Sequence, residues 1–176
     1  MERIYEILLR RNLKHVATIQ NKDGLLEPLD EEADLNVYEL TQGLAELNRE
    51  GIVLLDIRAG VSLEGVTKIA DVSHAGLYLN KEWIVEPKMY EDVNLPEVNV
   101  IPFKSDSWVL GEFLIQNKRG KGIPKRFLKS QALLDKFVGE DEDPILKKLL
   151  VLDPNERSYA WDLVSADTGG GGCSIM

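Results

Sequence analysis

Apolar residues recur at helical spacing along much of the first fifty positions. In residues 2–12, Ile4, Ile7, Leu8 and Leu9 stand between charges, which predicts a helix with one apolar face. The following LKHVATI (13–19) extends the pattern weakly, whereas NKDGLLEPLDEEAD (21–34), with Gly24, Pro28 and a cluster of acids, reads as a loop. LNVYELTQGLAELNREG (35–51) predicts a second helix with Val37, Leu40, Leu44 and Leu47 on one face. Asn36 can cap it, Glu39 three residues later suits a capping box, and Gly51 is a natural stop.

The period then changes. IVLLDIRA (52–59) and GVTKIADV (65–72) are β-rich, and glycines 60 and 65 between them predict a hairpin. Ser73 is expected to start a short helix, SHAGLYLNKEW. Residues 82–124 hold Pro87, Pro96, Pro102 and Pro124, with apolar runs VNVIPF and SWVLGEFLI expected as strands or extended segments. Three helices are predicted beyond them. Lys125 to Val138 places Phe127, Leu134 and Val138 on one face, and Asp143 and Asp153 each precede a proline as cap-then-proline starts for PILKKLLVL and PNERSYAWDLV. There is no internal repeat, and the only low-complexity stretch is the glycine run 169–172.

Two stretches carry a resemblance. LAELNREGIVLLDI resembles the end of a winged-helix third helix running into the first wing strand. IADVSHAGLYL is similar to the exit from the wing, with Val72, Ser73, Gly76, Leu77 and Leu79 at the matching positions. The resemblance is to winged-helix proteins of bacterial or phage type and covers residues 1–81. It implies a winged-helix domain of helices plus a two-stranded wing over 1–81; the changed texture beyond it reads as a second mixed α+β or mainly helical region over 82–168, which makes the chain α+β. A flexible Gly-rich tail, 169–176, follows. The resemblance also implies one of two jobs, DNA binding or protein contact.

Charge bears on that choice. The net charge is −9 and the sequence pI about 4.8, which weighs against non-specific nucleic-acid binding, since that affinity comes largely from neutralising phosphates. The helix expected to read DNA offers Glu39, Gln42, Glu46, Asn48, Arg49 and Glu50, and the wing adds only Arg58 and Lys68. The expectation is therefore a regulator or adaptor acting through a protein partner. The alternative is a DNA-binding transcription regulator using Arg49, Arg58 and Lys68.

The basic residues gather elsewhere. KRGKGIPKRFLK brings together Lys118, Arg119, Lys121, Lys125, Arg126 and Lys129. Such a strip can meet phosphates or an anionic membrane face, at about 1 kcal/mol per basic residue near the surface. It can equally be a solvated loop balancing the acidic 140–143.

Catalysis finds little support. His15 and His74, the two histidines, lie on separate predicted elements, and no phosphate-binding loop pattern occurs. The expectation is no enzyme, no cofactor and, with one cysteine, no multi-cysteine metal site or internal disulfide. No apolar run approaches the roughly 18 residues of a membrane span. Charges inside MERIYEILLRRN argue against a signal peptide, so the expected place is the cytoplasm. Cys173-Ser174-Ile175-Met176 matches a prenylation pattern, with four glycines as a tether. A third reading is thus a lipidated protein, membrane-associated only through Cys173.

Overall fold

A computed structural model describes residues 2–17, 35–57, 60–63 (backbone alone), 65–70, 72–88 and 101–165. The fold is α+β. Helix α1 (Glu2–Arg11) buries Ile4 and Leu8 as its spacing predicts, whereas Ile7 is half-buried and Leu9 stays exposed. It does not run on into LKHVATI. Asn12 turns left-handed at φ 48, and Val16 forms a parallel bridge to Ile69 instead.

Helix α2 (Val37–Arg49) has Asn36 as its cap, its side chain accepting from the Glu39 amide at 2.9 Å. The reciprocal half of the expected capping box is absent. Glu39 accepts from the Thr67 amide (2.5 Å), while the Asn36 amide donates to Thr67 Oγ1 (3.2 Å). The cap is thereby tied to a strand rather than closed on itself. Gly51, at φ +82, ends the segment.

The hairpin exists, but with other strands. β2 (Gly60–Leu63) pairs with β3 (Val66–Ile69), whereas β1 (Ile52–Val53) pairs antiparallel with β4 (Gly76–Leu79), Ile52 opposite Leu77. Extension beyond Val53 is cut short by a turn in which Leu55 takes φ 55. The helix expected from Ser73 is also strand. β4 returns through Asn80 and Lys81, at φ 52 and 64, into β5 (Glu82–Val85). Two successive positive φ values make the tight hairpin turn that matches strand twist. The sheet order is β1-β4-β5.

SWVLGEFLI, expected as strand, lies inside α3 (Pro102–Arg119), an 18-residue helix that starts on a proline and ends at Gly120, φ 69. Most of its sides are covered, so it lacks the one-sided period that marks a surface helix. Lys125 to Val138 is divided by Ser130, extended at φ −156, into a 3₁₀ turn (Lys125–Lys129) and α4 (Gln131–Val138). Asp143 caps α5 (Pro144–Leu149) as predicted. The helix expected from Asp153 is a turn, followed by the short α6 (Ala160–Leu163).

One cluster of buried side chains runs through the described residues, from Ile4, Leu44, Ile52 and Leu77 to Trp108, Ile115, Leu149 and Ala160. α3 packs against α2, β1, α5 and α6, and α2 packs against β3. Among the described residues no helix is long and apolar enough to cross a membrane.

Candidate functional site

The most unusual side chain in the core is Asp106, fully buried in α3. Its carboxylate faces the turn that ends β1. It accepts from the amides of Leu55 (2.7 Å) and Leu54 (3.0 Å), and from Asn48 Nδ2 of α2 (2.9 Å). The same Asn48 nitrogen donates to the Ile52 carbonyl at 3.0 Å. Two consecutive amides aimed at one carboxylate require the chain to curl, and Leu55 does so in the left-handed region. That conformation costs a leucine roughly 1–2 kcal/mol. Each buried amide left without its acceptor would cost about 1–3 kcal/mol, so the clamp outweighs the strain. Burial still dominates the titration of Asp106, raising it to about 6 against the donors that lower it.

The turn presents Asp56. From the far side, buried His74 places Nε2 2.5 Å from the Asp56 carbonyl, donating to it. The backbone of residues 54–56 is thus fixed from α3 on one side and from the segment before β4 on the other. The Asp56 side chain is half-buried.

A second buried polar group reaches the start of α3 from the turn after α5. Arg157, 3% exposed, donates to the carbonyls of Val151 (2.7 Å), Lys104 (2.9 Å) and Leu152 (3.1 Å) and lies over the Trp108 ring at 5.1 Å. Burial pulls its pKa down to about 10. Trp108 Nε1 donates to Glu112 Oε1 at 2.5 Å, and burial raises Glu112 to about 7. Arg157 therefore pins the turn after α5 to the start of α3.

The residues singled out from sequence fall elsewhere. Arg49 is exposed at the end of α2, Lys68 is half-buried on β3, and Arg58 lies outside the described residues. In the basic strip, Lys118 pairs with Glu142 at 2.5 Å. Arg119 donates to the carbonyls of Phe137 and Val138, both at 2.7 Å, and reaches Glu142 at 3.4 Å. Lys121, Lys125, Arg126 and Lys129 are exposed. Cys173 lies outside the described residues. Among the described residues no three His, Cys, Asp or Glu side chains gather as a metal site. An open cavity of about 340 Å³, lined by Asp135, Val138, Gly139, Glu140, Lys147 and Leu150, shares no residue with the clamped turn.

Sequence reasoning passed over Asp106 and Arg157 as site residues and placed Asn48 among the polar side chains offered to DNA, whereas it is buried against Asp106. The available signal was an aspartate, Asp106, set just before the apolar SWVLGEFLI, which a helical reading of that run places toward the core. Comparison with known proteins adds no family: no family model matches the chain, and no curated protein is significantly similar to it.

Proposed function

We propose that residues 37–165 are built on the larger lobe of a protein-kinase-type scaffold, and that the chain works as a non-enzymatic adaptor through protein contacts. In protein kinases a loop of the form H-R-D-L-x-x-x-N supplies the catalytic aspartate and a metal-binding asparagine, followed in the chain by D-F-G and A-P-E. The same order is legible here. Leu54-Leu55-Asp56-Ile57 stands at the start of that loop, Val61 at its end, Asp71-Val72-Ser73 at D-F-G and Leu95-Pro96-Glu97 at A-P-E.

The observation that carries the reading is the Asp106 clamp on Leu54 and Leu55, which holds the Asp56 turn rigidly on a core helix. Such support from behind is what a positioned aspartate needs. The residues around it point away from chemistry. Val61 offers no donor where the loop supplies a metal ligand, and Leu54 and Leu55 replace a histidine and an arginine. Of the two metal ligands in the pattern this sequence keeps only Asp71, and the turn is read as architecture.

We prefer this reading to the winged helix for one reason. A winged helix would lay α2 in the DNA groove, yet α2 packs against β3, α3 and α6 and buries Leu40, Thr41, Gly43, Leu44, Ala45, Leu47 and Asn48. Little of it is left to enter a groove.

Purified chain incubated with magnesium and radiolabelled ATP, with a serine- and threonine-bearing peptide as acceptor, should incorporate no more label than Asp56→Ala. Asp56-dependent labelling would overturn the non-enzymatic reading. Salt-sensitive DNA retention that is lost in Arg49→Ala and Lys68→Ala would favour the winged helix instead.

A further inference from the structure

We infer that the strip between α3 and α4 is a docking surface for a short acidic segment of a partner protein. The inference rests on the adaptor reading above and supplies its partner chemistry. Residues 118–129 carry six cations and no acid, although the whole chain is at −9, so the remainder carries −15. The six do different work. Lys118 and Arg119 are held by Glu142, and Arg119 also closes the C-terminal carbonyls of α4. These two brace the strip.

Lys121, Lys125, Arg126 and Lys129 point to solvent from the Gly120–Pro124 loop and the 3₁₀ turn. The Arg126 guanidinium lies 4.9 Å from the centre of the Phe127 ring, which in turn packs on Phe137 at 4.8 Å. A stacked guanidinium keeps its planar fork free to grip a carboxylate with two bonds.

The charges beside the strip bear on the partner. α4 packs against the 3₁₀ turn and carries exposed Asp135 beside exposed Lys136, and the loop after α4 adds exposed Glu140 and Asp141, so the surface next to the strip is of mixed sign with acids in excess. A membrane face or a nucleic-acid duplex is broader than a single peptide strand and would cover more of this mixed-sign surface. Charges are felt over about 8 Å at physiological ionic strength, so the flanking acids count against a broad polyanion. A single extended acidic peptide can follow the four cations alone.

The test uses the full chain and a fluorescent oligoglutamate peptide, read by anisotropy, with an oligolysine peptide and phosphatidylserine-containing vesicles in parallel. The oligoglutamate peptide should bind, more weakly as salt is raised, and reversal of the four cations (K121E, K125E, R126E and K129E together) should weaken it by at least about tenfold. The matching glutamine variant, checked by thermal melting for an unchanged fold, should lose most of that affinity as well. Absence of peptide binding, binding indifferent to the reversal, or vesicle binding in its place would each overturn the inference. None of these outcomes changes the phosphoryl-transfer result, so this proposal and the adaptor reading fail separately.

Discussion

At the scale of single residues, buried Asp106 and half-buried Glu112 set the chain's response to pH and to substitution. Asp106→Ala leaves the amides of Leu54 and Leu55 and the Asn48 side chain facing a void. At about 1–3 kcal/mol for each unsatisfied buried donor, denaturant unfolding should show a loss of roughly 3 kcal/mol or more. A variant as stable as the parent would contradict the clamp. Glu112 titrates at about 7 in the folded chain against an ordinary 4.5, and Asp106 at about 6 against 3.8, both because burial penalises the charged form. Between the ordinary and the folded value the folded chain holds the extra proton. This stabilisation is therefore present at low pH and is lost as pH rises through the window. Glu142 works in the opposite sense: burial pushes its pKa up, but hydrogen bonds from Lys118, the Asp143 amide and Arg119 together with the Lys118 charge outweigh this and lower it, so its contribution is lost only as pH falls below the ordinary carboxylate range. Thermal midpoints should fall from about pH 5 to about pH 7. Glu112→Gln, which keeps an oxygen for Trp108 but carries no charge, should flatten the upper part of that fall. A midpoint that rises over the same interval would contradict this account.

At the scale of elements, close approach of the backbone explains how the helices and strands are joined. A Cβ at Gly43 in α2 would lie 2.5 Å from the His15 carbonyl oxygen, which accepts the Ile69 amide at 2.9 Å. Gly43→Ala gains helix propensity of about 1 kcal/mol, yet overpacking against backbone costs about 1–3 kcal/mol. The variant should be less stable in denaturant, and a stabilised one would sink the contact. α1, α2 and α5 were legible in sequence, α1 by its one-sided spacing with Ile4 and Leu8 inward, α2 and α5 also by the caps Asn36 and Asp143 at their starts. α3 and the β4–β5 hairpin were not. α3 is covered on most sides, which erases its period, and the Asn80-Lys81 turn lacks the glycine that usually announces such a hairpin. Asp106 escaped notice for the same reason as its helix. Its importance comes from amides some fifty positions earlier, and nothing local marks that pairing.

At the scale of the molecule, residues distant in sequence share one interior. The buried cluster runs from Ile4 to Val164, and the polar link at its centre joins α3 to the turn after β1. That link also supports the functional proposal, because it holds the Asp56 turn whether or not chemistry occurs there. The outer surface carries the complementary part of the account, with cations concentrated between α3 and α4 on an otherwise acidic chain. The most direct test of the central claim is amide hydrogen exchange, followed residue by residue by NMR. Leu54 and Leu55 should exchange as slowly as the core of α2 in the parent chain. In Asp106→Asn they should exchange much faster while α2 stays protected, and Asp56→Asn should leave them slow. Rapid exchange of Leu54 and Leu55 in the parent chain, or slow exchange untouched by Asp106→Asn, would contradict the claim.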